Sequence, residues 1–180
     1  VPLPKRDLAS PARMLIVRSF DVNKPGTRPE NVAGGVVGGS LVRGTLKDGQ
    51  QVEIRPGLVR PDAKAPGGFV VASIFGTVRS LFSEQTKLAF AVPGGLIAVG
   101  LDVDPVLTKS DLLVGQVLGG KGTLPDVFVD ATLSFQMYDL SAVGSSAAAA
   151  AAKKVSKLQT GEALLICVGS TRVEARVTAV

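Results

Sequence analysis

The residues of this chain best suited to chemistry fall in one stretch, 18–36. Arg18 and Lys24 are donors for phosphate, and Asn23 can both donate and accept, so it can meet a base or sugar edge. Gly26, Gly34 and Gly35 would let backbone amides approach a ligand, Val36 offers an apolar wall, and Phe20 is the nearest ring for stacking. Cations, a two-way amide, bare backbone and an apolar wall together suit the end of an RNA strand. The competing reading is plain: Asn-Lys-Pro-Gly is also an ordinary surface turn.

Other chemistries find fewer residues. Histidine is absent, which removes His-based triads, His-ligated zinc and the commonest general base. The single cysteine, Cys167, lies in the apolar run "ALLICVG" and is expected in a core rather than as a reactive thiol. One cysteine makes no disulfide framework, which fits a reducing compartment. "GGKGT" at 119–123 lacks the spacer and following helix of a phosphate loop, so a hinge is expected there. "GGVVGG" has no helix after it either; its glycines fit close backbone approach or a bulge. Asp102 and Asp104 could hold a cation weakly, or cap a solvated turn. No catalytic residues and no metal site are expected.

The elements that would position stretch 18–36 read as short strands. The chain has 180 residues, 46% of them hydrophobic, with Gly 21 and Pro 11 punctuating runs rich in Val, Ile and Thr. Its net charge of +5 is scattered, which suits a solvated surface or a phosphate-facing patch. No apolar run approaches a membrane span, and residues 1–17 lack signal-peptide order. Residues 1–12 read as a linker, and the chain begins with Val rather than Met, as an excised fragment would. "MLIVRSF", "GGVVGGSLVRGTL", "QVEIR", "FVVASIF", "GTVRSLF", "TKLAFAV", "LIAVGL" and "LLVGQVL" follow as strands, with "KDGQ" as a hairpin turn, 56–68 as a loop and "DVDPVLTKSD" as another. Such a series without helical period predicts an all-β fold: a closed antiparallel β-barrel over 13–121. A linker follows, then a second, incomplete β-barrel over 126–180 built from "VFVDATLSFQM", "EALLICVG" and "TRVEARVTAV". The alanine run between these strands favours helix by propensity but is too short to hold one.

Taken together, "VPLPKRD…MLIVRSFDVNKPGT", "GGVVGGSLVRGTLKDGQQVEIRPG", "PGGLIAVGLDVDPVLTKSDLLVGQVLG" and "LPDVFVDATLSF" resemble the gamma subunit of the eukaryotic and archaeal translation initiation factor two. The likeness runs in order over nearly all of 1–137, and "GEALLICVGST" continues it; the alanine run departs from the family's pattern. The resemblance implies a GTP-binding domain followed by two β-barrels, of which this chain carries the linker, the first barrel and part of the second. It implies a cytoplasmic factor that carries methionylated initiator tRNA to the small ribosomal subunit. GTP and magnesium would belong to the GTPase domain, leaving no cofactor and no enzyme activity in this chain. The alpha subunit would dock on the first barrel, and the beta subunit on the GTPase domain. The acceptor-end pocket would then be walled by Arg18, Phe20, Asn23, Lys24, Gly26, Gly35 and Val36. Two alternatives stay open: a pure protein-interaction module, or the barrels of another tRNA-delivering GTPase such as the selenocysteine-specific elongation factor, against which the unbroken "RSFDVNKPGT" argues.

Overall fold

A computed structural model describes residues 2, 4–129, 131–136 and 157–180. These fall into two compact units, one holding the residues up to Val129 with Val168–Thr171, the other the remainder. In the first unit six antiparallel strands close on themselves. They are β1 (Arg13–Phe20), β2 (Val36–Arg43), β4 (Gln51–Pro61), β5 (Phe69–Ser83), β8 (Ile97–Leu101) and β9 (Val117–Gly120), paired in the circle β4-β9-β1-β2-β8-β5-β4. Closure leaves the barrel proper without a free edge. Three short strands, β3 (Leu46–Lys47), β6 (Thr86–Lys87) and β7 (Phe90–Ala91), decorate it.

Period-2 alternation fills the barrel. Met14 and Ile16 of β1, Val37 and Leu41 of β2, Val52 and Ile54 of β4, Val78 and Leu81 of β5, Val99 and Leu101 of β8 and Leu118 of β9 are all buried in one cluster. Removing this apolar surface from water at about 25 cal/mol per Å² is the main stabilising term.

Several strand readings change. "FVVASIF" and "GTVRSLF" are one 15-residue strand, β5, because its first half pairs with β4 and its second with β8. The first part of the expected loop 56–68 is strand: β4 continues to Pro61 past a register shift between Ile54 and Leu58, where Gly57 takes φ +80. The run after "GGVVGG" breaks at Gly44, so Leu46 and Lys47 pair with β7 and the "KDGQ" turn joins β3 to β4 without making a hairpin. Gly44 takes φ +76 and lies against Ala12, whose segment is tied on by Gly44 N–H donating to the Asp7 carbonyl at 2.8 Å.

In the second unit the described residues hold one two-stranded sheet, β10 (Ala163–Val168) with β11 (Thr171–Arg176). The expected strand "VFVDATLSFQM" has no strand over its described residues, and Val127, Phe128, Leu133 and Phe135 are exposed. Cys167 is exposed rather than in a core, because no second layer covers this sheet among the described residues. The alanine run lies outside the described residues. The fold is all-β, a closed barrel followed by a unit whose described residues hold one two-stranded sheet. No helix among the described residues is long and apolar enough to cross a membrane.

Candidate nucleic-acid interface

Simple alternation from Met14 and Ile16 would turn Arg18 and Phe20 into the barrel. A bulge prevents this. Ile16 pairs with Gly39 and Arg18 with Gly38, so one extra residue, Val17, is inserted in β1. The phase flips: Ser19 is buried beside Val37, and Arg18 and Phe20 face out. A second register shift, between Val78 and Ser80, lies on β5 opposite β8. Between the two shifts the outer face of β1, β2, β8 and β5 carries two regular rows.

The first row runs Phe20, Val36, Gly100, Ser80; the second runs Arg18, Gly38, Ala98, Phe82. The face thus carries half-buried Gly100 and Ala98, with Gly38 covered beside Arg18, a ring at one corner of each row and a cation beside it. Small residues let a planar group approach the sheet, and the exposed Phe20 can stack on it.

Loop 21–35 joins β1 to β2 next to the first row and is internally bonded. Lys24 to Thr27 form a type II turn: Pro25 presets φ at the second position, Gly26 takes φ +83 at the third, and Thr27 N–H donates to the Lys24 carbonyl at 3.1 Å. Lys24 and Gly26 are exposed at its tip. Asn23 is used inside the loop. Its Nδ2 donates to Asp21 Oδ1 at 2.7 Å and to the Ala33 carbonyl at 2.8 Å, and its Oδ1 accepts from Ala33 N–H at 2.7 Å. It therefore closes the loop's ends and has little capacity left for a ligand.

Gly34 and Gly35 are present for close approach. A Cβ on Gly34 would lie 1.8 Å from the Leu101 carbonyl oxygen, and one on Gly35 2.4 Å from the buried Thr108 side chain. Thr108 Oγ1 lies 3.1 Å from the Phe20 carbonyl and 3.0 Å from that of Pro105, anchoring the end of β1.

The turn 105–111 supplies an acid that sequence reading missed. Asp111 Oδ1 accepts from Ser19 N–H at 2.9 Å and from Arg18 Nε at 3.0 Å. Those bonds, the backbone one first, hold its carboxyl below the ordinary carboxylate value. Asp102 and Asp104 are also engaged. Asp102 accepts from Thr77 N–H and from Arg79 Nη2, and Asp104 caps the following turn by accepting from Val106 N–H at 2.9 Å. Among the described residues no three acidic or cysteine side chains cluster as a metal site would need. A cleft of about 280 Å³ adjoins Asp102, lined by Phe75, Gly76, Thr77, Gln51 and Lys121, with the Lys121 ammonium 5.9 Å from the Phe75 ring centre.

The structure therefore brings together Arg18, Phe20 and Val36 on one face, sets Lys24 and Gly26 at the tip of the adjoining loop, gives Asn23 to that loop's own bonding, and uses Gly35 for close packing against Thr108. Phe82, Ala98 and Gly100 join the site only through strand pairing, and Asp111 only through its hydrogen bonds to β1. Residues 34–119, which make up most of this closed six-stranded barrel, match the family described as Elongation factor Tu domain 2. The chain is also 43% identical over 183 residues to Eukaryotic translation initiation factor 2 subunit 3 of Drosophila melanogaster, a match covering 99% of this chain and 37% of that protein. It belongs to the family of the initiation factor two gamma subunit and spans a little over a third of that relative's length.

Proposed function

We propose that this chain acts in translation initiation as the part of the factor whose first barrel receives the acceptor end of methionylated initiator tRNA. The observation that carries this is the outward face of Phe20, Val36, Gly100 and Arg18, prepared by the β1 bulge and flanked by the Lys24–Thr27 turn. The terminal base would lie over Gly100 against Phe20 and Val36, while Arg18 and Lys24 hold sugar-phosphate. Such contacts position the RNA and read no sequence. GTP and magnesium are assigned to a GTPase domain outside this segment, where the beta subunit would also dock, and the loaded factor would meet the small ribosomal subunit.

In the longer factor, Lys24→Ala should weaken initiator tRNA binding about tenfold or more, about 1.5 kcal/mol being the low end for a charge-assisted bond, and flatten the salt slope by about one unit. Val36→Asp should weaken it more than Val36→Ala, since a carboxylate would face the RNA's charge in an apolar wall. Affinities for charged and uncharged tRNA at several salt concentrations test this. If neither substitution moves them, "RSFDVNKPGT" is only a turn.

A distinct observation supports protein docking on the same barrel. β4 pairs with β9 only through Val52–Arg55, and β5 pairs with β8 only from Val78 onward. Leu58–Pro61 and Phe69–Ala72 therefore form a ribbon paired only with itself, bearing exposed Val59, Phe69, Val70 and Val71. An apolar ribbon with open edges suits a partner chain, and we assign it to the alpha subunit. Val70→Asp should weaken co-elution with that subunit about tenfold, or 1.4 kcal/mol; unchanged co-elution would place the alpha subunit elsewhere.

A further inference from the structure

We infer that Asp111 is a positioning residue for RNA binding: it grips the Nε edge of Arg18 so that the guanidinium's outer edge, Nη1 and Nη2, is held ready for a phosphodiester. The inference rests on the reading of this face given above and adds to it the group that aims the cation.

Four bonds stitch turn 108–113 to the end of β1. Asp111 Oδ1 accepts from both Ser19 N–H and Arg18 Nε, Ser19 Oγ accepts from Leu113 N–H at 3.1 Å, and Thr108 Oγ1 reaches the Phe20 carbonyl. Ser19 is 1% exposed, so the base on which Arg18 stands is fixed. The turn accepts backbone strain to make this arrangement: Ser110 and Asp111, neither a glycine, take φ +56 and +60. The Arg18 side chain is 66% exposed, so its far edge faces water. A guanidinium has five N–H donors, and using the one on Nε leaves four on the planar outer fork that matches phosphate oxygens. Its rotamer entropy is then already restricted before RNA arrives.

The alternative role for Asp111 is to neutralise Arg18. The two roles predict opposite signs. A neutraliser repels RNA, so its removal tightens binding; a positioning residue loosens binding when removed, although the net charge becomes more positive.

The test uses the 180-residue chain and a fluorescein-labelled single-stranded RNA, with inorganic phosphate as competitor. Asp111→Asn removes the charge. Asp111→Gly removes the carboxylate at a backbone angle glycine prefers, so the turn persists and thermal melting should show a folded barrel. Both should weaken RNA binding about fivefold, the scale set by one freed long side chain, and lower the salt slope by about one, as Arg18→Ala does. In an Arg18→Ala background neither should weaken it further. Asp111 variants that bind as well as or better than the parent, while Arg18→Ala binds worse, overturn the positioning role alone. An Arg18→Ala variant with unchanged binding overturns the reading of the whole face. Displacement of RNA by inorganic phosphate at the ionic strength where added chloride does nothing would show a free-phosphate site and overturn the assignment to RNA.

Discussion

Gly39→Ala is expected to destabilise the barrel by about 3 kcal/mol or more, while Gly38→Ala, one residue away, should be neutral or stabilising by about 0.5 kcal/mol. The two glycines share a strand and a sequence motif, but they face opposite sides. Gly39 faces inward opposite Ile16, and a Cβ there would lie 1.9 Å from the Leu15 carbonyl oxygen and 3.1 Å from Met14 Cε. The methionine end could swing away. The carbonyl belongs to the β1–β2 ladder and cannot move without parting the strands that carry the site. Gly38 faces outward, and a Cβ there would meet nothing nearer than Arg18 Cβ at 3.7 Å, an ordinary contact. Its gain is the backbone entropy that glycine loses on folding. Urea unfolding of the two variants decides the matter, and equal midpoints would show that β1 and β2 are less closely apposed than described.

The contrast marks how far the sequence could be read. Strand-length runs, turn residues and the absence of helical period were enough for an all-β barrel, because alternation and turn chemistry are local. What local pattern could not show was where alternation breaks. Nothing in "MLIVRSF" marks Val17 as a bulge, yet that one inserted residue decides that Arg18 and Phe20 face out. Nor could spacing show that Asp111 returns to Arg18 across the chain, since that contact exists only once β9 lies beside β1. The glycine in "FVVASIFGTVRSLF" reads as a break between two strands, whereas Gly76 sits inside β5 and faces Val52 on β4. Cys167 shows the reverse error: an apolar flank predicts burial only where a second layer covers it.

Glu53 shows the same limit, and its removal should be costly. Alternation in "QVEIR" puts Val52 and Ile54 inside and Glu53 on the outer face, where a carboxylate would ordinarily be wet. Instead Glu53 is 1% exposed, because the chain leaving β9 folds across it. Its Oε2 accepts from Gly122 N–H at 2.9 Å, and its Oε1 accepts from Arg55 Nε. Arg55 in turn donates to the Pro125 carbonyl at 2.7 Å and to Asp126 at 3.1 Å. The pair thus clamps the exit of the barrel onto β4. Glu53→Ala should destabilise by about 2 kcal/mol, since it leaves the Gly122 N–H without its partner and frees one edge of the partly exposed Arg55; Glu53→Gln, which keeps the shape and loses the charge, should cost less. The dependence on pH follows from the carboxyl's surroundings. Burial pushes its pKa up, but the Gly122 N–H, Arg55 and the Ser73 hydroxyl outweigh burial and hold it below the ordinary 4.5. A depressed folded value means that the charge's stabilisation is fully present above the unfolded value and is lost as pH falls through the folded one. The gap between parent and Glu53→Gln in urea should therefore be constant from pH 7 down to the ordinary carboxylate range and shrink below it. A gap of undiminished size under acid conditions would mean that the amide fails for reasons of shape, and that the carboxylate's charge does not hold the exit segment in place.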